Sequence, residues 1–512
     1  MGLYFEVQRK KGSRSDRMDS CNPPASLPGF VLCHNYDWDD NNYHNWYCLH
    51  YYDAEGDWHK VGELHLMHKE EESAQKLKEN FRALNEDFCS LGNDTDYYEG
   101  IYRCLGSELA EQVLAALQDC AVNVKIYDRF KDNEIFRLSL RREQIETEKA
   151  IRLARFIING RNLDDAFSFV YHFRPPYNDK CISDWNVKFP NTGHAFQHTA
   201  GVIGVNGVGK TQMLCSFIKD LLDNNHENFT GSLPVFSTII AICSTPFDSF
   251  MEIDSESFMM PYIKCCLEQN KEETEKNVFA GATNIKNRGT FQTVPLMREY
   301  VYKLKEELPT ENIDEVFPYH DSGIGVLRRY DIDKEKLHKL IGRLSSGQLH
   351  TLMLLTRVYE NIYYDTLFVI DEPEVHLHPN AILSFSKLLD DLLDEFHCYA
   401  IVTTHSPLVV REMIGRNVFV VKRHEDNNAY IGHVEHETFG EDIAILYRDI
   451  FGYDDKTSCF VELVNGLVKK FHNFDSIIEK IGIENLSMAS RFTIRNLVAE
   501  YTKKKGDKEN EE

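Results

Sequence analysis

The octapeptide Gly204-Val205-Asn206-Gly207-Val208-Gly209-Lys210-Thr211 fits G-x-x-x-x-G-K-[ST], and its flanks restrict the fold more than any other stretch. The small apolar run Ala200 to Val205 leads into it, and Met213, Leu214, Phe217, Ile218, Leu221 and Leu222 follow at helical spacing. Strand, loop and helix in that order predict a βα unit whose backbone N–H groups meet phosphate oxygens. Gly204, Asn206, Gly207 and Gly209 would admit the close approach. Lys210 would bring charge to the outer phosphates and Thr211 a hydroxyl to magnesium, with Gln212 next in the turn. A glycine-rich turn without a ligand is the competing reading, and the lysine and hydroxyl in register weigh against it.

Leu344 to Pro379 reads LSSGQLHTLMLLTRVYENIYYDTLFVIDEPEVHLHP. Ser345, Ser346, Gly347 and Gln348 open a helix whose apolar positions Leu349, Leu352, Met353, Leu355, Val358, Tyr359 and Ile362 recur at helical spacing. Thr366 to Ile370 reads as a buried strand ending in the acids Asp371 and Glu372. An acid pair at a strand end, in a chain with a phosphate loop, suits a metal-bound nucleotide. Asp371 would hold magnesium and Glu372 would activate water.

These motifs resemble those of the ABC-type ATPase superfamily. Lys210 and Thr211 match its first Walker motif, Leu367 to Glu372 its second, and Leu344 to Gln348 its LSGGQ signature with Ser346 at the first glycine position. His405, in AIVTTHSP after the predicted strand Tyr399 to Thr403, matches its switch histidine. The resemblance implies an α/β head with a mixed sheet and an antiparallel β layer, helical insertions, and ATP with magnesium as ligands. It also implies a homodimer that clasps ATP between Lys210 of one copy and Ser346 and Gly347 of the other, or a higher oligomer built from such pairs. The pattern departs after Val235 to Cys243, where Ser244-Thr245-Pro246-Phe247-Asp248 replaces a glutamine loop and Asp248 is the candidate substitute.

With 512 residues, 42% apolar and 12% aromatic, the chain is long and apolar enough for one large head or two domains. No run approaches a bilayer-spanning helix and the start lacks an apolar secretion segment, so a cytoplasmic protein without a membrane partner is expected. Thirteen cysteines without a C-x-x-C pair are expected as free thiols, not disulfides or zinc ligands. A net charge of −24 opposes a uniformly basic nucleic-acid binder, and Lys286 with Arg288, or Arg328 with Arg329, read as solvated patches.

In chain order, residues 1–29 are expected as a loose N-terminus and residues 30–249 as the first part of the head. Asn45 to His68, turning at Asp53 to Asp57, reads as a β-hairpin. Leu77, Phe81, Leu84, Phe88, Leu105, Leu109, Val113, Leu114 and Leu117 imply a helical insert over about 70–160, interrupted by the turn-rich Ser90 to Tyr98. Arg141 and Arg142 would open another helix. Trp185 lies at a distance from Lys210 that suits stacking on adenine, although a buried packing role is the stronger reading. Residues 250–342 form a helical insertion too short for a long coiled coil, 343–435 the second part of the head, and 436–512 a helical region with a charged tail. His376 and His378 are too few for a metal site.

No paired-acid nuclease set follows His405, and no H-N-H or P-D-(D/E)-x-K arrangement is evident, so cutting chemistry would come from a partner. The aromatic hairpin, SLGNDTDYY, STPFD, LSSGQ, DEPEVHLHP and TFGE together resemble the PtuA ATPases of Septu anti-phage defence, in the form found beside retrons. That resemblance implies control of an HNH nuclease of the PtuB kind, with a retron reverse transcriptase and its RNA-linked DNA as further partners. The alternative is a RecF-like or SMC-like repair ATPase that binds DNA itself, and a third is a module that binds ATP but scarcely hydrolyses it.

Overall fold

The computed structural model describes residues 3–10, 21–35, 43–70, 76–140, 145–175, 183–190, 197–205, 207–223, 225–231, 233–243, 249–253, 260–266, 271–288, 290–291, 294–309, 311–320, 329–375, 378–423, 429–451 and 459–509. The chain forms two compact units, Met1–Gly440 and Glu441–Glu512.

The first unit is an α/β structure of three main sheets. A six-stranded sheet of order β5-β1-β2-β3-β4-β6 uses β1 Phe5–Lys10, β2 Gly29–Asn35, β3 Trp46–Tyr52, β4 Trp58–His68, β5 Asn80–Phe81 and β6 Phe88–Gly92. Its β1 and β2 run parallel and its other pairs antiparallel. The expected hairpin is β3–β4, and Asp53 Oδ1 fixes its turn by accepting the backbone N–H groups of Glu55 at 3.0 Å and Asp57 at 2.9 Å. The segment expected as a loose N-terminus instead supplies β1, whose Phe5 is fully buried. Phe81 and Phe88 also depart from their helical reading: they sit on β5 and β6, because pairing with β1 and β4 outweighs a short apolar period. Ser90 to Gly92 complete β6, and Asp94 then caps a helix over Thr95–Ala116. That helix crosses β4 so tightly that a Cβ on Gly100 would lie 1.8 Å from the Val61 carbonyl oxygen.

Three further strands, β7 Phe169–Phe173, β8 Ser183–Val187 and β10 Phe229–Thr230, make a small antiparallel sheet of order β10-β7-β8. Trp185 on β8 is fully buried against Phe169, Phe217 and Phe419, so it has no face for an adenine ring and serves packing.

The central sheet has the order β12-β11-β17-β18-β9-β19-β20. It comprises β9 Thr199–Ile203, β11 Ile239–Cys243, β12 Tyr262–Cys266, β17 Leu367–Asp371, β18 Tyr399–Thr404, β19 Val418–Arg423 and β20 Ala429–His433, with only β20 antiparallel. The inner strands β9, β11, β17 and β18 are apolar and buried over most of their length because both faces are covered. Ala241, Val369 and Ile401 join the main core with the antiparallel sheet, whereas Ile242 and Phe368 face Leu354, Val358, Leu389 and Leu392 of helices Ser346–Asn361 and Pro379–Phe396. Residues 250–342 hold β12, helices Lys271–Arg288, Leu296–Glu307, Ile313–Val316 and Lys334–Arg343, and two hairpins, β13 Thr290–Phe291 with β14 Val294–Pro295 and β15 Tyr319–His320 with β16 Arg329–Tyr330. Arg288, expected in a solvated patch, instead donates to the carbonyls of Tyr359, Glu360 and Ile362 at the end of the Ser346–Asn361 helix.

The second unit is helical: Ile443–Asp449 is followed by Cys459–Phe471, Phe474–Ile481 and Met488–Glu509, and the last three pack around Val464, Val468, Ile477, Leu486 and Ile494. The free-thiol expectation fails at Cys21 and Cys33, which are joined as a disulfide. Pairing in the N-terminal sheet brings their segments together across a sequence gap that no motif marks.

Candidate nucleotide site

Parallel strands deliver the site residues to one edge of the central sheet. β18 lies between β17 and β9, with Asp371 opposite Thr403 and Thr404 opposite Ile203. The loops leaving β9, β17 and β18 therefore emerge side by side, at the carboxyl ends of the strands. The loop after β9 turns through Gly209, whose φ of +103° suits glycine, into the helix Lys210–Leu222. Asn206 lies outside the described residues, as do Asp248, His376, Arg141, Arg142 and Arg328.

Lys210 Nζ sits in the middle of the cluster. It donates to the Gly204 carbonyl at 3.1 Å and to His405 Nε2 at 2.6 Å, and lies 3.7 Å from Glu372 Oε1. Glu372 Oε1 is 3.0 Å from the same His405 nitrogen. Burial, and after it the Lys210 ammonium, hold the His405 pKa below its usual value. His405 Nε2 thus lies between a cation and a carboxylate: without a proton it can accept from Lys210, with one it can donate to Glu372, and it cannot do both at once. Burial also lowers the Lys210 pKa, with Glu372 and Asp371 working the other way.

Oxygen donors form the second half of the site. Thr211 Oγ1 donates to Asp371 Oδ2 at 2.9 Å, and the Thr403 hydroxyl donates to the other oxygen, Asp371 Oδ1. The Glu372 backbone N–H reaches Thr403 Oγ1 and the Thr403 carbonyl, each at 3.1 Å, and Glu372 itself has a φ of +46°. Thr403 and Glu374 lie inside AIVTTHSP and DEPEVHLHP, but those motifs assign neither a role. The only signal for Thr403 was the pair of hydroxyl residues before His405, and Glu374 carried none beyond its place after Asp371-Glu372-Pro373.

The signature residues occupy a different place. Ser345 caps the Ser346–Asn361 helix in a reciprocal capping box with Gln348, accepting its N–H at 3.4 Å while Gln348 Oε1 accepts the Ser345 N–H at 3.0 Å. Ser345 and Ser346 are exposed. Ser345, Gly347 and Gln348 line a cavity of about 260 Å³ together with Pro373, Val375 and Ser384, and neither Lys210, Thr211 nor Asp371 lines it. Gln212, on the first turn after the loop, is exposed.

Residues 320–411 match the family model described as "AAA domain, putative AbiEii toxin, Type IV TA system". Protein ea59 of Escherichia phage lambda is 25% identical over 500 residues, covering 87% of this chain and 91% of that protein. The Old nuclease of Escherichia phage P2 is 28% identical over 155 residues, covering 28% of this chain and 25% of that protein. Among solved structures, the SMC head domain from Thermotoga maritima aligns at 14% identity over 52% of this chain and 98% of that one, with a TM-score of 0.28. No helix among the described residues is long and apolar enough to cross a membrane. The segment matched by the family model carries the signature helix, β17 and β18, and so contains Asp371, Glu372 and His405, while the phosphate loop lies outside it.

Proposed function

We propose that the chain hydrolyses ATP in a site divided between two copies of itself, and that its nucleotide state governs a partner nuclease in an anti-phage defence assembly. The carrying observation is the meeting of Lys210, Glu372 and His405 beside the Thr211–Asp371 oxygen pair. Hard oxygen donors fit magnesium, and Thr211 Oγ1 and Asp371 Oδ2 would hold it. When bound, magnesium neutralises charge on the phosphate oxygens. On nucleotide entry Lys210 turns from His405 to the phosphates, which frees His405 Nε2 to carry a proton and donate it to the γ-phosphate. Glu372 orients the attacking water and accepts its proton.

The exposed Ser346 and the cavity that Gly347 shares with Pro373, apart from Lys210, support a signature that serves the other copy. Its helix N-terminus would offer backbone N–H groups to a γ-phosphate held there. Partial similarity to a protein named Old nuclease supports a link to nucleic-acid cleavage, and the Septu resemblance supports an HNH partner, with retron reverse transcriptase and RNA-linked DNA as further members.

Mixing chains tests the division. Lys210→Ala and Ser346→Arg are each expected to be inactive alone, and an equimolar mixture to regain about a quarter of wild-type turnover, since random pairing leaves half the dimers with one intact site. A mixture as inactive as its parts, or turnover by Ser346→Arg alone, would place the whole site in one copy. Tight duplex DNA binding by the isolated chain that weakens steeply with salt would favour the repair-type reading instead.

A further inference from the structure

The outer face of the N-terminal sheet carries chemistry that ATP turnover does not use. Alternation along β2 and β3 sends Val31, Cys33, Trp46, Cys48 and Tyr52 away from the main core into a small cluster of their own, with Cys21 packed on it. Cys33 and Cys48 are cross-strand partners. His50, two residues beyond Cys48, is fully buried, and the β3–β4 register shifts between Leu49 and His50, an irregularity of the kind that re-aims a side chain.

Cys21 reaches this face from outside the sheet. Gln8 exchanges two hydrogen bonds with the Asn22 backbone, at 2.9 and 3.0 Å, Glu6 Oε2 accepts the Ala25 N–H at 2.9 Å, and the Tyr52 hydroxyl donates to the Cys21 carbonyl. Residues 21–25 are thus pinned along β1, and the sulfurs of Cys21 and Cys33 and a ring nitrogen of His50 all lie within 4.8 Å of one another.

We propose that in the reduced protein Cys21, Cys33 and His50 bind one zinc ion, at a site separate from the nucleotide. Two thiolates and an imidazole form a soft donor set, which selects zinc over the oxygen-seeking magnesium of the ATP site. A dithiol reductant supplies two electrons and two protons to the Cys21–Cys33 bond and becomes a disulfide itself. Zinc then takes both thiolates and the neutral imidazole, and the two thiol protons pass to solvent. Two thiolates cancel the charge of the ion, which suits a buried position. Cys48, opposite Cys33 on the same face, or a water completes four-coordination. The ion and the disulfide are alternative clamps on the same segment, and the redox state decides between them.

The test titrates the full-length, untagged, fully reduced and metal-free chain with zinc against a chromophoric chelator, and with cobalt as a spectroscopic stand-in. One zinc per chain is expected, with the intense visible bands of tetrahedral cobalt and a near-ultraviolet thiolate charge-transfer band. Lys210→Ala should bind equally, whereas Cys33→Ser and His50→Gln should bind at least tenfold more weakly. His50→Gln leaves both thiols in place, and circular dichroism establishes that it folds. Oxidation to the Cys21–Cys33 disulfide should expel the ion. Zinc retained by the disulfide form, equal affinity in His50→Gln, octahedral cobalt, or no stoichiometric binding by the reduced wild type would each overturn the proposal.

Discussion

Glu374 Oε1 accepts the backbone N–H of His405 at 2.5 Å and, with the same oxygen, the hydroxyl of Thr404 at 2.8 Å. The carboxylate therefore ties the segment after Asp371-Glu372 to the end of β18 and fixes where the histidine stands. Glu374 touches no reacting atom in the proposed mechanism and acts by positioning. Glu374→Ala removes a charge-assisted acceptor, an interaction worth about 1.5–3 kcal/mol, and the expected loss in kcat is on the order of tenfold or more. KM for ATP should hardly move, and Glu374→Gln, which keeps an acceptor oxygen, should recover most of the rate. A fall in KM-dependent binding with no change in kcat would assign Glu374 to nucleotide binding instead.

Glu372 approaches both Lys210 and His405 through one carboxylate oxygen, which makes it the acid best placed to exchange partners when a nucleotide enters. Glu372→Gln retains the shape and the left-handed backbone but abolishes the base. Turnover is expected to fall by about 100-fold or more, with ATP affinity preserved and ATP-bound dimers accumulating in mass photometry. Hydrolysis at the wild-type rate would remove Glu372 from the chemistry.

What the sequence made legible follows from the range of the interactions involved. The phosphate loop, the capped signature helix and the acid pair are local patterns, in which spacing along the chain dictates spacing in the fold. Thr403 joins Asp371 only because β17 and β18 are neighbours, and no spacing announces that. Cys21 and Cys33 meet on a sheet whose first strand was hidden in a segment rich in charge and proline. Trp185 has the right offset from Lys210 for an adenine platform, yet packing against Phe217 and Phe419 decides its role. Phe81 and Phe88 show the same override, since strand pairing claims apolar positions that helical spacing fits equally well.

Arg152 and Asp365 illustrate a long-range contact with energetic weight. The Arg152 guanidinium donates to Asp365 Oδ2 at 2.7 Å, and the two side chains are only 19% and 5% exposed. The pair links helix Ile145–Ile158 to the turn that enters β17, where Asp365 sits at a φ of +59° and its carbonyl accepts the Ser237 N–H. Removing one partner strands a buried charge, so Arg152→Ala is expected to cost about 3 kcal/mol in urea denaturation. Arg152→Met with Asp365→Asn should cost clearly less, because neither change then leaves an unpaired ion. Equal losses in the single and double variants would show that packing of the arginine stem, not the charge, matters here.

Asp119 supplies a pH-dependent counterpart. Its carboxyl is fully buried, accepts the Tyr98 hydroxyl at 3.1 Å and the Ala121 N–H at 3.0 Å, and burial pushes its pKa up to about 7. A carboxyl in the unfolded chain titrates near 4, so the folded state holds the proton more tightly. Its stabilising contribution is complete below about pH 4 and is lost as pH rises toward 7, a change of up to about 4 kcal/mol. Burial holds His34 down at about 4, and this works in the opposite sense: its contribution is present above about pH 6.5 and is lost as pH falls. The two trends offset each other in the wild type, so the informative quantity is the difference between variants. Asp119→Asn keeps an oxygen for Tyr98 and Ala121 and cannot ionise. Relative to wild type it should gain about 2–3 kcal/mol between pH 5 and pH 8, as read from chemical denaturation at the two values. A stability gap that does not change with pH would mean that Asp119 is ionised throughout, despite its burial against Tyr98.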